Sequence, residues 1–299
     1  FYLGPNKFST LKKLTDKNGA SLEMERIIPL GWVFSTYVSR WVVIPLFTFL
    51  SKYIESFGLI ILILTLLVKL IISPLTYKSY LSTAKMRAVR PELEAINAKY
   101  PRQEDAMKKQ QATMELYNKA GISPMSGCIP MLIQMPILIA MFRFFPASIE
   151  LRGKSFLWSD DLSSYDSVLD LPFNIPFYGD HVSLFCLLMT IVMFGYSYMN
   201  YQQTATSQPA MPGMKFMTVY MMPIMLLFWF NDYSSGLCYY YLLSNIITML
   251  MMFGIRALVD EDKVRASIHS KMTNTKGKKS RFQQRYEELM RQQEQLNKR

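Results

Sequence analysis

An all-α integral membrane protein is the fold class this sequence predicts, and two observations carry it. Half of the 299 residues are apolar (51%, with 14% aromatic) and the mean hydropathy is +0.11, more than one water-soluble core of this size buries. Charge is also segregated: residues 181–214 and 233–255 contain no Asp, Glu, Lys or Arg, and uncharged runs of that length read as membrane spans. The excess of 33 Lys and Arg over 22 Asp and Glu, a net +11, therefore belongs to loops and a tail, where it sets topology or meets anionic lipid or RNA. Cys128, Cys186 and Cys238 each lie in an apolar segment, and an odd set at lipid depth argues against a disulfide framework. The chain opens on Phe1 with no basic-then-apolar leader, so it reads as a piece of something longer.

Five transmembrane helices are expected, at 57–75, 128–147, 182–200, 214–230 and 236–256, each about 17 to 21 residues. Ahead of them, residues 27–54 are apolar but interrupted by Thr36, Arg40, Thr48, Lys52 and Glu55. Those spacings return near one helical face, which predicts an amphipathic helix lying in the interface with Trp32 and Trp41 as headgroup anchors. A sixth span centred on 41–50 is the alternative, opposed by Pro45 and Arg40. Lys and Arg number nine in the loop 76–121 and twelve in 256–299, against three in 143–181 and none in 231–235. The positive-inside rule puts the first two in the cytoplasm and leaves the amino terminus and the 143–181 loop outside. Seven basic residues within 1–56 are an exception, which a preceding folded outer domain would explain, because long domains translocate regardless of charge.

The cytoplasmic loop has helical composition. Ala84–Lys99 and Arg102–Ala120 flank the breaker Tyr100-Pro101, and Gly121 closes the second helix, which predicts a helical hairpin. Lys85, Arg87, Arg90, Lys108 and Lys109 enrich its surface; a solvated face is the plain reading and a contact for RNA or anionic lipid the functional one. Beyond Arg256 the tail is polar and basic, with Lys276, Lys278, Lys279 and Arg281 in one short stretch and a possible helix at 282–297. It is expected to be mobile until it meets a partner.

Polar residues inside the spans are not scattered. Thr65, Lys69 and Ser73 fall at i, i+4 and i+8 of the first, so its polar groups form one stripe. A charged Lys at membrane depth costs several kcal/mol unless it faces water or a partner, which makes it a functional candidate by default. Snorkelling to the headgroups, over about 9 Å at 1.5 Å per residue, is the alternative. Tyr241, Asn245 and Thr248 repeat the pattern in the last span, and Gln134 lies between Pro130 and Pro136 in the second. No Asp or Glu lies in any span, so water or a visiting acidic group is the expected counterpart of Lys69. Converging stripes would enclose a polar groove, while for Gln134, Tyr241 and Asn245 individually a helix-to-helix hydrogen bond serves as well. Twenty-two methionines, many in the late spans, suit a surface that meets varied apolar partners or simply pack.

Absences narrow the chemistry. Neither His181 nor His269 lies in a span, and there is no GxSxG elbow, no HExxH and no GxxxxGK[ST] loop, which argues against a buried triad, zinc or ATP. No enzyme activity, metal or cofactor is expected.

Three segments in order, SPLTYKSYLSTAKMRAVRPELEAINAKY after the first span, SGCIPMLIQMPILIAMF in the second and SSGLCYYYLLSN in the last, resemble the YidC family of membrane protein insertases over residues 26–258. The opening FYLGPNKF is similar to the end of the large outer domain of the Gram-negative members. The resemblance implies a bacterial inner-membrane protein without hydrolytic activity, whose hydrophilic groove, open to cytoplasm and lipid, receives nascent membrane proteins. It also implies the ribosome, the Sec translocon, signal recognition components and membrane lipid as partners. Lys69 occupies the position where the family usually carries Arg, with Thr65 one turn before it, and Tyr241 matches the family's client-contacting tyrosine. Lys keeps the charge but loses the planar fork of donors. Ser123-Pro124-Met125-Ser126 stands where relatives usually show Asn-Pro-Leu-Gly. The implied organisation is the end of an outer domain and linker at 1–26, the interfacial helix at 27–56 and a core at 57–258. Within the core lie a hairpin at 77–121 and an outer loop at 148–181, and a basic cytoplasmic tail at 259–299 follows.

The function expected is membrane insertion: a groove lowers the cost of moving a polar flank across lipid, and the flanking apolar segment leaves sideways. A secondary transporter or channel for a small anion is the rival; it would more often show paired repeats with broken helices, which are absent. A scaffold would need neither Lys69 nor a wet groove.

Overall fold

The computed structural model describes residues 3–15, 19–28, 33–102, 105–122, 129–204 and 213–274, and these are mostly helical. The chain forms two units, Phe1–Thr83 with Met125–Leu258, and Ala84–Pro124 with Val259–Arg299.

The first unit begins with a short helix α1 (Phe8–Leu11), then α2 (Val33–Val38), a π-helical stretch Ser39–Val43 and α3 (Ile44–Leu50). Pro45 has no N–H to give to the carbonyl four residues back, and the wider turn just before it keeps the chain helical without that bond. Ser39, Val43, Phe47 and Leu50 point inward, while Tyr37, Trp41 and Phe49 point outward. The segment predicted as amphipathic is therefore helical with one buried and one aromatic-rich exposed face; Trp32 lies outside the described residues.

Helix α4 (Phe57–Ala88) carries Pro74 in its interior. The missing Pro74 N–H would have met the Leu70 carbonyl, and the Ser73 hydroxyl donates to that oxygen instead, at 2.8 Å. Further on, Pro91 stands in the first turn of α5 (Arg90–Lys99) and Val89 leaves helical geometry at φ −95°, ψ 14°. The hairpin helix predicted as one piece from Ala84 is thus divided, because Pro91 cannot donate to Arg87 and starts a new helix.

The second unit packs α5 and α6 (Ala106–Ala120) on Val89, Leu93, Leu116 and Tyr117. Gly121 ends α6 in the left-handed region at φ +64°, and Ile122 N–H donates back to the Tyr117 carbonyl at 2.8 Å, a glycine C-cap as predicted. The same core includes Ile268, flanked by Val264. The tail expected to be mobile therefore begins differently, as a helix (Glu261–Asn274) docked on α6. Two apolar residues four apart make one face, and a composition ruled by charge hid them. The possible helix 282–297 lies outside the described residues.

Back in the first unit, α7 (Ile129–Ala147) leads into a loop containing a two-stranded antiparallel sheet, β1 (Leu169–Ile175) and β2 (Gly179–Val182). This small sheet is the one departure from an all-α chain among the described strands and helices. Then come α8 (Leu184–Thr204), a π-helical stretch Phe216–Met221 ahead of Pro223, α9 (Met222–Phe230), α10 (Ser235–Leu258), and, in the second unit, the docked tail helix as α11. Every predicted span falls on a helix. Among the described residues, α4, α8 and α10 are long and apolar enough to cross a membrane, while Leu132–Ala147 and Phe216–Phe230 are apolar but shorter. Three spans are thus carried by length and composition, and the count of five is not.

The starts of α8 and α10 are closed by the α7–α8 loop. The first N–H groups of a helix have no partner inside it. Asp166, 3% exposed, accepts from the Phe185 N–H (3.0 Å), the Ser183 hydroxyl (2.5 Å) and the Trp158 indole (2.8 Å), closing α8. At α10, Ser235 N–H and Gly236 N–H donate to the Ser164 and Leu162 carbonyls at 2.6 and 3.0 Å. A Cβ at Gly236 would sit 2.8 Å from that Leu162 oxygen, so only glycine lets the loop approach. Asn231 closes the turn before α10: its Nδ2 donates to the Tyr178 and His181 carbonyls, both at 2.8 Å, and its Oδ1 accepts from Ser183 N–H at 3.0 Å.

Asp166→Ala would orphan two buried donors, the Phe185 N–H and the Ser183 hydroxyl, each costing roughly 1–3 kcal/mol, and release the exposed Trp158 indole, so about 2 kcal/mol of stability or more should be lost. Trp158→Phe removes one donor and should cost about 1 kcal/mol. Thermal unfolding of the purified protein in micelles checks both, and a smaller loss for Asp166→Ala than for Trp158→Phe would contradict the capping role.

Candidate functional site

Core packing around α4 positions the site. Ile60, Ile61, Leu64 and Val68 face inward among Ile137, Met141, Phe145 and Tyr240, so the same side of α4 carries Thr65 and Lys69 into the interior. Thr65 is fully buried, and its hydroxyl donates to the Ile61 carbonyl at 2.6 Å. That back-bond satisfies the hydroxyl locally. Lys69 is 8% exposed, and its Nζ donates to Gln134 Oε1 of α7 at 3.3 Å. No carboxylate forms an ion pair with it among the described residues. A buried ammonium facing an uncharged amide retains most of its unmet electrostatic demand.

From α10, Tyr240 is fully buried and its ring packs on Phe145 at 5.8 Å. Its hydroxyl faces Gln134 and Ser244 but makes no hydrogen bond of normal geometry to either. Tyr241 is half-buried, edge-on to Phe230 at 5.6 Å and to Tyr240 at 5.5 Å, with its hydroxyl also buried and without a partner among the described residues. Asn245 is half-buried one turn further on. Ser73 is half-buried, with its hydroxyl committed to the Leu70 carbonyl.

The structure thus brings Lys69 and Gln134 into contact and places Tyr240 beside Gln134, so that α4, α7 and α10 meet at one polar point. Thr65 and Ser73 share the stripe but spend their donors on their own helix. Tyr240 was missed by sequence reasoning, because three consecutive tyrosines offer no spacing by which to choose among them; its i, i+4 relation to Ser244 was the available signal. The unmatched Tyr240 and Tyr241 hydroxyls can donate to an incoming acceptor, and Lys69 can pair with an incoming carboxylate. Met217, Met221, Met222 and Met225 are exposed along the segment through α9.

In the second unit Arg90 is exposed and paired with Glu94 at 2.8 Å, and Lys108 is exposed and paired with Asp105 at 3.3 Å. Lys85, Arg87 and Lys109 are half-buried. Lys276, Lys278, Lys279 and Arg281 lie outside the described residues, as do Ser123 to Ser126. Among the described residues no group of His, Cys, Asp or Glu is arranged to hold a metal ion.

Residues 49–262 match the family model described as 60Kd inner membrane protein. The chain is 52% identical over 305 residues to a protein of Parabacteroides distasonis named membrane protein insertase YidC, covering all of this chain and 48% of the relative. It is 47% identical over 300 residues to the Bacteroides fragilis protein of the same name, again with 100% and 48% covered. The chain therefore spans about half the length of the curated relatives it matches. Among solved structures it is similar to an active YidC insertase crystal structure with the first transmembrane domain resolved, at TM-score 0.52 and 27% identity, over 83% of this chain and 53% of that one.

The Lys69–Gln134 contact predicts a coupled pair. Gln134→Leu should destabilise by about 1–3 kcal/mol by leaving the ammonium without an acceptor, and Lys69→Met in that background should restore most of it. A double-mutant cycle on thermal unfolding in nanodiscs reads the coupling; strict additivity would mean the two side chains do not depend on each other.

Proposed function

The chain belongs to the 60Kd inner membrane protein family, and on that premise we propose that it acts as a membrane protein insertase of the YidC kind. It receives nascent membrane proteins at the polar point on α4, α7 and α10 and releases their apolar segments into the bilayer. One observation carries the mechanism: a buried ammonium, Lys69, whose acceptor is the neutral Gln134. A permanent carboxylate partner would hold the ammonium; an amide yields it to an acidic group on an arriving segment. Two unit charges at ~4 Å attract by about 1 kcal/mol in water and roughly 4 at an effective dielectric of 20, and a partly wet site lies between. Tyr241 and Asn245 line the same route from α10, and Thr65 and Ser73 keep the polar stripe of α4. Burial of the client's apolar segment, about 0.8 kcal/mol per CH₂, drives its sideways exit. No covalent chemistry is needed, so the protein is not an enzyme.

The same reading takes the five apolar helices as five spans of an inner-membrane protein, with the amino terminus of this chain outside and the carboxyl terminus inside. The distribution of Lys and Arg supports that orientation. Helices α2 and α3 then lie along the outer interface, where exposed Trp41 and Phe49 suit headgroup depth. The basic hairpin and tail, including Lys276 to Arg281, face the translating ribosome, with the Sec translocon and signal recognition components as further partners.

Lys69→Ala should impair insertion of clients with acidic translocated flanks by roughly five- to thirty-fold, the size of a 1–2 kcal/mol interaction, and spare neutral flanks. Lys69→Arg should retain most activity, and Lys69→Glu should be worse than Ala for acidic flanks. Insertion of short single-span clients into liposomes containing only this protein measures it. Equal loss for acidic and neutral flanks at matched protein levels defeats the electrostatic mechanism, and anion flux without insertion would favour a transporter.

Orientation has its own test. In a background lacking Cys128, Cys186 and Cys238, cysteines placed at Thr36 and Lys52 should react with an impermeant reagent from the same side of the membrane. Labelling from opposite sides would replace the interfacial helix with a sixth span.

A further inference from the structure

The seven basic residues in 1–56 are the exception to the charge pattern, and the fold gathers several of them in one place. Leu11 and Ile28 are buried against Phe8, Ile44 and Ala147, and Lys7 pairs with Glu150 at 2.6 Å, so the amino-terminal segment is fastened alongside α3. Between the two runs an open cleft of about 630 Å³, within the ~300–1,000 Å³ range of small-ligand sites. Lys12 and Lys13 line it from the amino-terminal run, and Arg40, Trp41, Phe49 and Lys52 from the facing run; no Asp or Glu is among the described lining residues.

Arg40 is bound by Glu25 at 3.0 Å and lies over the Phe8 ring at 5.6 Å, which fixes it as a wall, and its buried Nε–H has no acceptor among the described residues. Lys12, Lys13 and Lys52 are exposed and have no acid partner among the described residues, leaving a local charge of about +3. Beside them Trp41 is 72% and Phe49 57% exposed. Unpaired lysines and exposed aromatics that line one cleft match a phospholipid, phosphate at the lysines and glycerol and upper acyl chain along the rings.

We propose that this cleft binds the headgroup phosphate of an anionic phospholipid and so anchors the amino-terminal segment to the bilayer surface. The inference does not rest on insertase activity, because lipid occupancy can be read with no client present. Lipid retention is measured by native mass spectrometry on the full chain released from nanodiscs of mixed phosphatidylglycerol and phosphatidylcholine. Wild-type protein should retain phosphatidylglycerol in preference to phosphatidylcholine. Each lysine contributes about fivefold in affinity, so Lys12→Gln with Lys52→Gln, one from each run, should weaken retention roughly thirtyfold. Lys263→Gln with Arg265→Gln, two exposed charges of α11, should leave it unchanged, and millimolar inorganic phosphate should not displace the lipid. Unfolding temperatures matching wild type confirm that the exposed substitutions leave the fold intact. Equal retention in the Lys12/Lys52 variant, equal loss in both double variants, no headgroup preference, or displacement by free phosphate would each overturn the proposal.

Discussion

Lys69 sits 8% exposed on α4 with its ammonium 3.3 Å from the uncharged Gln134, and the arrangement of the first unit follows from where that charge can be tolerated. Removing an ion from water costs several kcal/mol even after relaxation. A fixed carboxylate would offset more of that cost, but it would also occupy the site. Gln134 supplies a neutral acceptor instead, and it stands in α7 between Pro130 and Pro136 in sequence. Tyr240 and Tyr241 bring further hydroxyls that the packed state leaves unmatched. Three helices thus share one poorly satisfied polar point inside an otherwise apolar core, the opposite of what packing alone selects.

Against that deficit stand well-satisfied helix ends at α8 and α10 of the same unit. Asp166 caps α8, the Leu162 and Ser164 carbonyls close α10, and Asn231 uses both donors and its acceptor at the turn between α9 and α10. His181 adds Nε2 to the Asn231 carbonyl at 3.1 Å and stacks on Tyr165 at 3.9 Å. Where lipid supplies no hydrogen bonds, every backbone group needs an internal partner. Pro74, Pro45 and Pro223 each remove one, and each is answered locally, by the Ser73 hydroxyl or by a π-helical turn just upstream. The contrast with the Lys69–Gln134–Tyr240 point, where two tyrosine hydroxyls and an ammonium stay poorly matched, is therefore confined to one place on α4, α7 and α10.

Hydropathy made the apolar helices legible, since a run such as Phe57–Leu75 has few other uses in a chain. It did not show where they end. The proline at 91 divides what composition read as one hairpin helix, and α11 was hidden because Val264 and Ile268 are two apolar residues in a charged stretch. The small sheet was missed because Leu169–Ile175 carries Asp170 and Pro172, which weaken any strand pattern. At the site, Lys69 and Gln134 stood out by polarity in apolar surroundings. Their contact, 65 residues apart in sequence, could not be read from spacing. Thr65 and Ser73 lay on the stripe as expected, yet whether a hydroxyl turns to its own backbone is decided by local geometry rather than residue type.

The same limit explains the basic residues that broke the charge pattern. Counted along the chain, Lys12, Lys13, Arg40 and Lys52 weaken the positive-inside argument, because that rule sums charges per loop without regard to what they face. In the fold, Arg40 is neutralised by Glu25 and braced by Phe8, while the three lysines line one cleft together with Trp41 and Phe49. A cation beside exposed Trp and Phe is stabilised where phosphate and acyl chain meet, and is poorly placed elsewhere. Net charge in a terminal segment therefore carries two kinds of information. Its sum biases which side of the membrane the segment occupies, and its grouping on a structured face determines what the segment touches once there.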